Sequence, residues 1–275
     1  MTTLNTAGRT ARRAARSGAL EGLTRIGFVG YGLFHLAVAW LAVQIALGHP
    51  AGTGDQAGAF QYLASRPFGR ALLVIIIIGL IAMAVWQLLL AAVGHLDERG
   101  LSRTGERVAS AFRTVIYAAL AWTAYRVVAG APPSSSTQTQ NATAGILAKP
   151  AGQWLVAIGG LAVIALGIGM IVYGARRKFE RRLMLGRMTH RVRLTAVRLG
   201  QVGYIAKGVA FGIVGILLFQ AATTHNPARS RGLDAALRTL LDQRYGTVLL
   251  ILVAIGFAAF GVFCFFQARY RKVKP

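Results

Sequence analysis

Apolar positions gather into six long runs, at 26–47, 71–94, 108–130, 154–175, 202–222 and 247–267. A membrane span takes about 20 mostly apolar residues, and runs of this length exceed ordinary strands. Backbone groups in lipid must bond within their own segment, so the runs predict six transmembrane helices. The second, fourth and sixth hold no Asp, Glu, Lys or Arg, the third holds Arg113 and Arg126, and the fifth holds Lys207. The first run follows a 25-residue tail and leads into Gly48-His49-Pro50. It is longer than the core of a signal peptide and is followed by no small-residue cleavage site, so it is expected to stay in the protein.

The polar intervals predict orientation. Basic segments occupy 1–24, 176–200 and 269–275, and a shorter one joins the second and third runs. Twenty-one of the 31 Lys and Arg residues lie on one side of the six runs, eight lie on the other, counting Arg126 near the far end of the third run, and Arg113 and Lys207 lie deeper inside. Cytoplasmic flanks carry the basic excess. The expectation is therefore a multi-pass protein of the cytoplasmic membrane with both termini cytoplasmic.

The runs also repeat. Residues 25–48 align without a gap on 107–130, matching Arg25 with Arg107, Trp40 with Trp122 and Gly48 with Gly130. A third copy matches at Gly27/Gly203, Gly32/Gly208 and Gln44/Gln220. The second helix of each unit opens on Pro67-Phe68-Gly69, Pro150-Ala151-Gly152 or Arg244-Tyr245-Gly246. A short amphipathic segment precedes it. Leu233, Ala236, Leu237, Leu240 and Leu241 share one helical face in the third copy, and Ala57, Phe60, Leu63 and Ala64 in the first. The second copy keeps Ile146 and Leu147 behind a polar insertion at 134–141. That spacing predicts short helices in the outer interface. The units are 25–95 (first), 107–175 (second) and 201–268 (third). With two spans each they run parallel, which predicts a pseudo-threefold axis along the membrane normal.

The pattern of Arg25, Gly27, Gly32, Asp55, Pro67 and Gly69, echoed by Gly203, Gly208, Asp234 and Gly246, resembles the bacterial domain-of-unknown-function 1206 family. That resemblance implies six-helix, actinobacterial membrane proteins; it implies no reaction. The second copy departs from it, with Ala109 and Thr114 where the glycines belong.

Composition agrees with lipid as the solvent. Of 275 residues 55% are hydrophobic and 14% charged, against about 25% charged in soluble domains. The net charge of +23 sits beside apolar runs, which points to anionic lipid headgroups and away from nucleic acid. The segment 176–200 also suits an acidic cytoplasmic or membrane protein partner. Cys264 is the single cysteine and reads as a packing residue.

Candidate chemistry is sparse. Tyr31, Arg113 and Lys207 occupy one repeat position, five or six residues into their runs. They read either as a layer binding an anionic headgroup or small anionic solute, or as side chains snorkelling to the interface. His35, with equivalents Tyr117 and Phe211, reads as packing. Gln44, Arg126 and Gln220 form a second polar layer. Gln44 lies nine residues past His35, about half a turn away at about 100° per residue, which argues against one polar channel. Gly208-x-x-x-Gly212 has the spacing of closely packed membrane helices. No metal-ligand set, nucleotide loop, cofactor motif or paired-carboxylate site appears, and no acid falls in a run. The sequence thus predicts a non-enzymatic structural, accessory or interaction component. The alternative is a transporter or binder of a small anionic solute or lipid.

Overall fold

The computed structural model describes residues 18–49, 54–93, 100–130, 135–230 and 232–272. The tail 1–17, Asp97, Glu98 and Arg99, and residues 273–275 fall outside these segments. Nine α-helices occur among the described residues. Six are long: α1 (Gly18–Ala46), α3 (Gly69–Val93), α4 (Gly100–Val128), α6 (Gly152–Ala175), α7 (His190–Thr223) and α9 (Gly246–Tyr270). Three are short: α2 (Gln56–Ala64), α5 (Ser135–Leu147) and α8 (Leu233–Leu241).

The fold is all-α, and among the described residues five helices are long and apolar enough to cross a membrane. The sixth, α4, has the length, but Arg113, Arg126 and its hydroxyl residues dilute its apolar stretch. Helices α1, α4 and α7 begin well before their apolar runs. An apolar run marks what lipid can surround, whereas good helix formers such as Arg, Leu and Ala carry the helix on into polar surroundings. Much of 176–200 is therefore helical. Only its first part is irregular, with two 3-10 turns at Lys178–Arg182 and Leu185–Arg187.

The second long helix of each repeat packs on the first helix of the next: α3 on α4, α6 on α7, and α9 on α1. Within repeats, α1 packs on α3 and α7 on α9, but α4 and α6 form no comparable seam.

Small residues set these seams. A Cβ on Gly27 would lie 2.8 Å from Met83, and one on Gly203 would lie 2.7 Å from Phe260. Met83 and Phe260 are repeat equivalents, so one seam is built twice. Between repeats, a Cβ on Gly32 would meet the Gly261 carbonyl at 2.8 Å, and one on Gly208 would meet the Gly167 carbonyl at 2.6 Å. Gly261 and Gly167 are likewise equivalent. Gly212 differs from its partner in the motif: a Cβ there points into open space, while its backbone is what Gly167 approaches.

The opening signature of the even helices has a steric cause. A Cβ on Gly69, Gly152 or Gly246 would fall within 1.8 Å of the carbonyl oxygen of Leu63, Ile146 or Leu241. The chain turns so tightly from short helix to long helix that only glycine fits. The preceding Phe68 and Ala151 are held at φ 61° and 60°.

The short helices cap the bundle more than they lie beside it. Phe60 of α2, and Ala236 and Leu237 of α8, are buried. Burial onto the ends of the long helices removes their apolar faces from solvent. The polar insertion of the second copy is itself helical, forming most of α5.

These seams predict unequal tolerance. Gly203→Val should destabilise the protein in detergent by about 1–3 kcal/mol through overpacking on Phe260. Gly212→Ala should change stability by under about 0.5 kcal/mol. Thermal unfolding of both variants checks this, and equal losses would contradict the packing described.

Candidate functional site

Three polar constellations interrupt the apolar bundle. The central one joins helices of all three repeats. Lys207 on α7 is 6% exposed and donates to the Tyr31 hydroxyl on α1 at 3.0 Å. Its Nζ lies 4.0 Å from the Phe260 ring centre and 5.1 Å from that of Tyr31. Tyr31 packs edge-on to Tyr117 of α4 at 5.1 Å and to His35 at 4.3 Å. His35 Nδ1 lies 2.8 Å from the Tyr31 carbonyl. A carbonyl only accepts, so Nδ1 carries the hydrogen. Among the described residues no carboxylate pairs with Lys207. Aromatic faces and one hydroxyl solvate the amine instead, and a cation on a desolvated ring gains about 2 kcal/mol.

Of the three residues predicted as one layer, the structure brings Tyr31 and Lys207 together and leaves Arg113 apart. Lys207 does not snorkel: the Tyr31 hydroxyl and the Phe260 ring give its amine a partner inside the bundle. Arg113 is half-buried and, among the described residues, forms no hydrogen bond or ion pair. It shares a helix face with Tyr117, one turn on, whose phenol lies within electrostatic range of it. His35 and Tyr117 pack at this centre as expected, whereas Phe211 is exposed. The layer of Gln44, Arg126 and Gln220 does not converge. Gln44 reaches Tyr62 of α2 at 3.5 Å, and Gln220 accepts from Arg229 at 2.8 Å.

The second constellation closes the end of the bundle where α9 finishes. The chain at Arg182–Met184 pairs with Tyr270–Lys272: Met184 N donates to Tyr270 O at 2.8 Å and Lys272 N to Arg182 O at 2.9 Å. This fixes Arg271, whose guanidinium sits 4.9 Å from the Phe28 ring centre and 4.8 Å from that of Trp86. Arg271 also donates to Gln267 at 2.5 Å. Burial first, and nearby Arg182 second, lower its pKa to about 10, which leaves it cationic at neutral pH. Sequence reasoning placed Arg271 among topological charges. Its aromatic partners lie far away in the chain, and no local pattern announces them.

The third constellation latches the opposite end, where α2 and α8 lie. Asp55 caps α2 by accepting from Gly58 N at 2.8 Å. Asp234 of the third repeat accepts from Gly54 N of the first at 2.5 Å and pairs with Arg238 at 3.0 Å. Both carboxylates are buried. The acids of the repeat pattern therefore hold loops in place. A shallow, open pocket of about 350 Å³ lies beside this latch, lined by Gln220, Arg229, Asp234, Arg238 and Asp242 among others. It is distant from the central pair in the fold.

The central pair yields a measurable coupling. Tyr31→Phe should cost about 1–3 kcal/mol, because it strips a hydrogen bond from a buried amine. Lys207→Met should cost less, since an apolar replacement of a buried cation is often neutral. The double variant should be more stable than the sum of the two losses implies. Thermal unfolding in detergent measures all three; strict additivity would show that the hydrogen bond contributes nothing.

Comparison with known proteins places this arrangement. Residues 26–94, 108–177 and 202–271 each match the family described as Domain of Unknown Function (DUF1206). The chain is 32% identical over 252 residues to "Uncharacterized protein YxxB" of Bacillus subtilis (strain 168), covering 90% of each chain. That relative is not actinobacterial, so the expected actinobacterial character does not follow from the match. No solved structure matches the chain. With three matched repeats spanning most of its length and a relative matched nearly end to end, the chain belongs to the DUF1206 family.

Proposed function

We propose that this protein is a non-enzymatic structural or accessory component of the bacterial cytoplasmic membrane. It crosses six times, with both termini cytoplasmic and its repeats cycling about a pseudo-threefold axis. The carrying observation is the filled centre. Where a carrier needs a polar path, Tyr31, His35, Tyr117, Lys207 and Phe260 pack ring to ring and satisfy one another. Helix α4 counts as a span in this reading. Its 29 residues reach about 43 Å at about 1.5 Å per residue, and Tyr117 delivers it to the level of Tyr31. The order in which α3 meets α4, α6 meets α7 and α9 meets α1 supports the cycle. The basic flanks support the orientation.

A second reading, binding of an anionic solute or lipid, draws support from the cations at the inner end, Arg271, Arg182 and Arg113. Their surroundings suit a headgroup resting at the surface better than passage through the bundle.

Two measurements test this reading. Alkaline phosphatase fused after Gly130 or His225 should be active, and fused after Arg187 or Pro275 inactive; an inactive fusion at Gly130 would remove α4 as a span. Proteoliposomes should show no chloride or phosphate flux above empty vesicles. A flux abolished by Lys207→Leu would overturn the non-transporting assignment.

A further inference from the structure

The middle repeat breaks the packing rule of the other two at one seam. In the first repeat a Cβ on Gly30 would lie 2.7 Å from Gly79, and in the third a Cβ on Gly256 would meet the Ala206 methyl. Gly30 and Ala206 are equivalent to Phe112, and Gly79 and Gly256 to Ala162. Gly27 and Gly203, the other seam glycines, are replaced by Ala109. A phenyl ring thus stands where the neighbouring repeats carry a hydrogen or a methyl, and α4 and α6 do not close. The exposures agree. Met83 and Phe260 are 1% and 4% exposed, whereas their equivalent Leu166 is 43% exposed and Phe112 is 58% exposed.

This opening ends on unmatched donors. Arg113 follows Phe112 directly and, among the described residues, has no hydrogen-bond or ion-pair partner. Arg103 Nε, nearly three turns back on α4, and Trp86 Nε1, on the ring stacked against Arg271, are buried without hydrogen-bond partners. Tyr117 stands within electrostatic range of both Arg113 and Arg271. Among the described residues, Glu106 of α4 is paired with Arg182 at 3.4 Å, its second oxygen has no donor, and Glu180 is paired with Arg193 at 3.9 Å. Among the described residues, cationic donors therefore exceed anionic acceptors at this end of the gap between α4 and α6.

We propose that the cleft between α4 and α6 holds one anionic glycerophospholipid, its phosphate on Arg113 and Arg271 and an acyl chain against Phe112 and Leu166. A lipid carries its charge at one end and hydrocarbon along the rest, which is the order of features here. A partner helix would need an acid at one matching depth to meet the same cations. The inference rests on α4 being a span.

Native mass spectrometry of the full chain, delipidated in mild detergent, tests this with phosphatidylglycerol and phosphatidylcholine. Phosphatidylglycerol adducts should exceed phosphatidylcholine adducts by about tenfold, and Arg113→Gln should lower them by about fivefold. Arg113→Lys should keep the preference, showing that charge and not folding is read. Ala109→Gly/Phe112→Gly, which recreates the glycine seam, should also lose the adduct; if that variant does not fold, the Arg113 pair decides alone. Glycerol 3-phosphate should not displace the lipid. Displacement would assign the site to a free anion and overturn the lipid. Equal binding of the two lipids, no effect of Arg113→Gln, or a dimer that survives delipidation and dissolves on Phe112→Gly would each overturn it. An inactive phosphatase fusion at Gly130 instead defeats the underlying topology, which keeps the two failures distinguishable.

Discussion

Helix association in lipid depends on how near two backbones can come, because burying apolar surface against another helix gains little when hydrocarbon is the alternative. The architecture follows from that constraint. Gly27 and Gly203 admit Met83 and Phe260, and Gly32 and Gly208 admit Gly261 and Gly167. Each pair recurs at equivalent positions, so a few small residues, copied with the repeat, specify both the seam within a unit and the seam between units. The opening glycines obey the same geometry, letting a long helix begin almost on the carbonyl that ends the short one.

Once the seams are set, the polar residues have little freedom. Three first helices meet at the centre and bring Tyr31, Tyr117 and Lys207 together. With no carboxylate beside it among the described residues, the amine there has only aromatic faces and a hydroxyl for company, an arrangement that is tolerable because a ring's negative face substitutes partly for water. Burying Asp55 and Asp234 is managed differently, with backbone donors and Arg238 satisfying them. The polar groups of this bundle thus mainly bond one another.

Much of this was legible beforehand. Apolar runs of spanning length, a threefold period and glycines at repeat positions declared the helices and the three units. Gly208 was readable as a packing residue because its spacing is local. What was hidden depends on which helix faces which. Glycine spacing does not name a partner, so the pairing of Gly208 with Gly167 was out of reach, as was the open side of Gly212. Lys207 lay within snorkelling distance by residue count, and only the position of Phe260 and Tyr31 decides that its amine turns inward. Arg271 looked like one more cytoplasmic charge because Phe28 and Trp86 reach it from two other helices.

The two departures noted in the second repeat, Ala109 and Thr114, prove unequal for a reason that adjacency supplies. Thr114 lies at the position that joins one repeat to the next. Its hydroxyl turns back to the Ser110 carbonyl at 3.0 Å, so it brings no unsatisfied polar group to the seam, and α3 still packs on α4. Ala109 lies at the seam within the repeat, where Phe112 adds bulk three residues on, and there the helices part. The six long helices can lose this one contact and keep their order, since α4 is still held by α3 and α6 by α7. The interruption falls on the helix that also carries Arg113, which has no hydrogen-bond or ion-pair partner among the described residues. Steric opening and uncompensated charge on one helix are separate consequences of its sequence, and their coincidence distinguishes the middle repeat from a merely weakened copy of the other two.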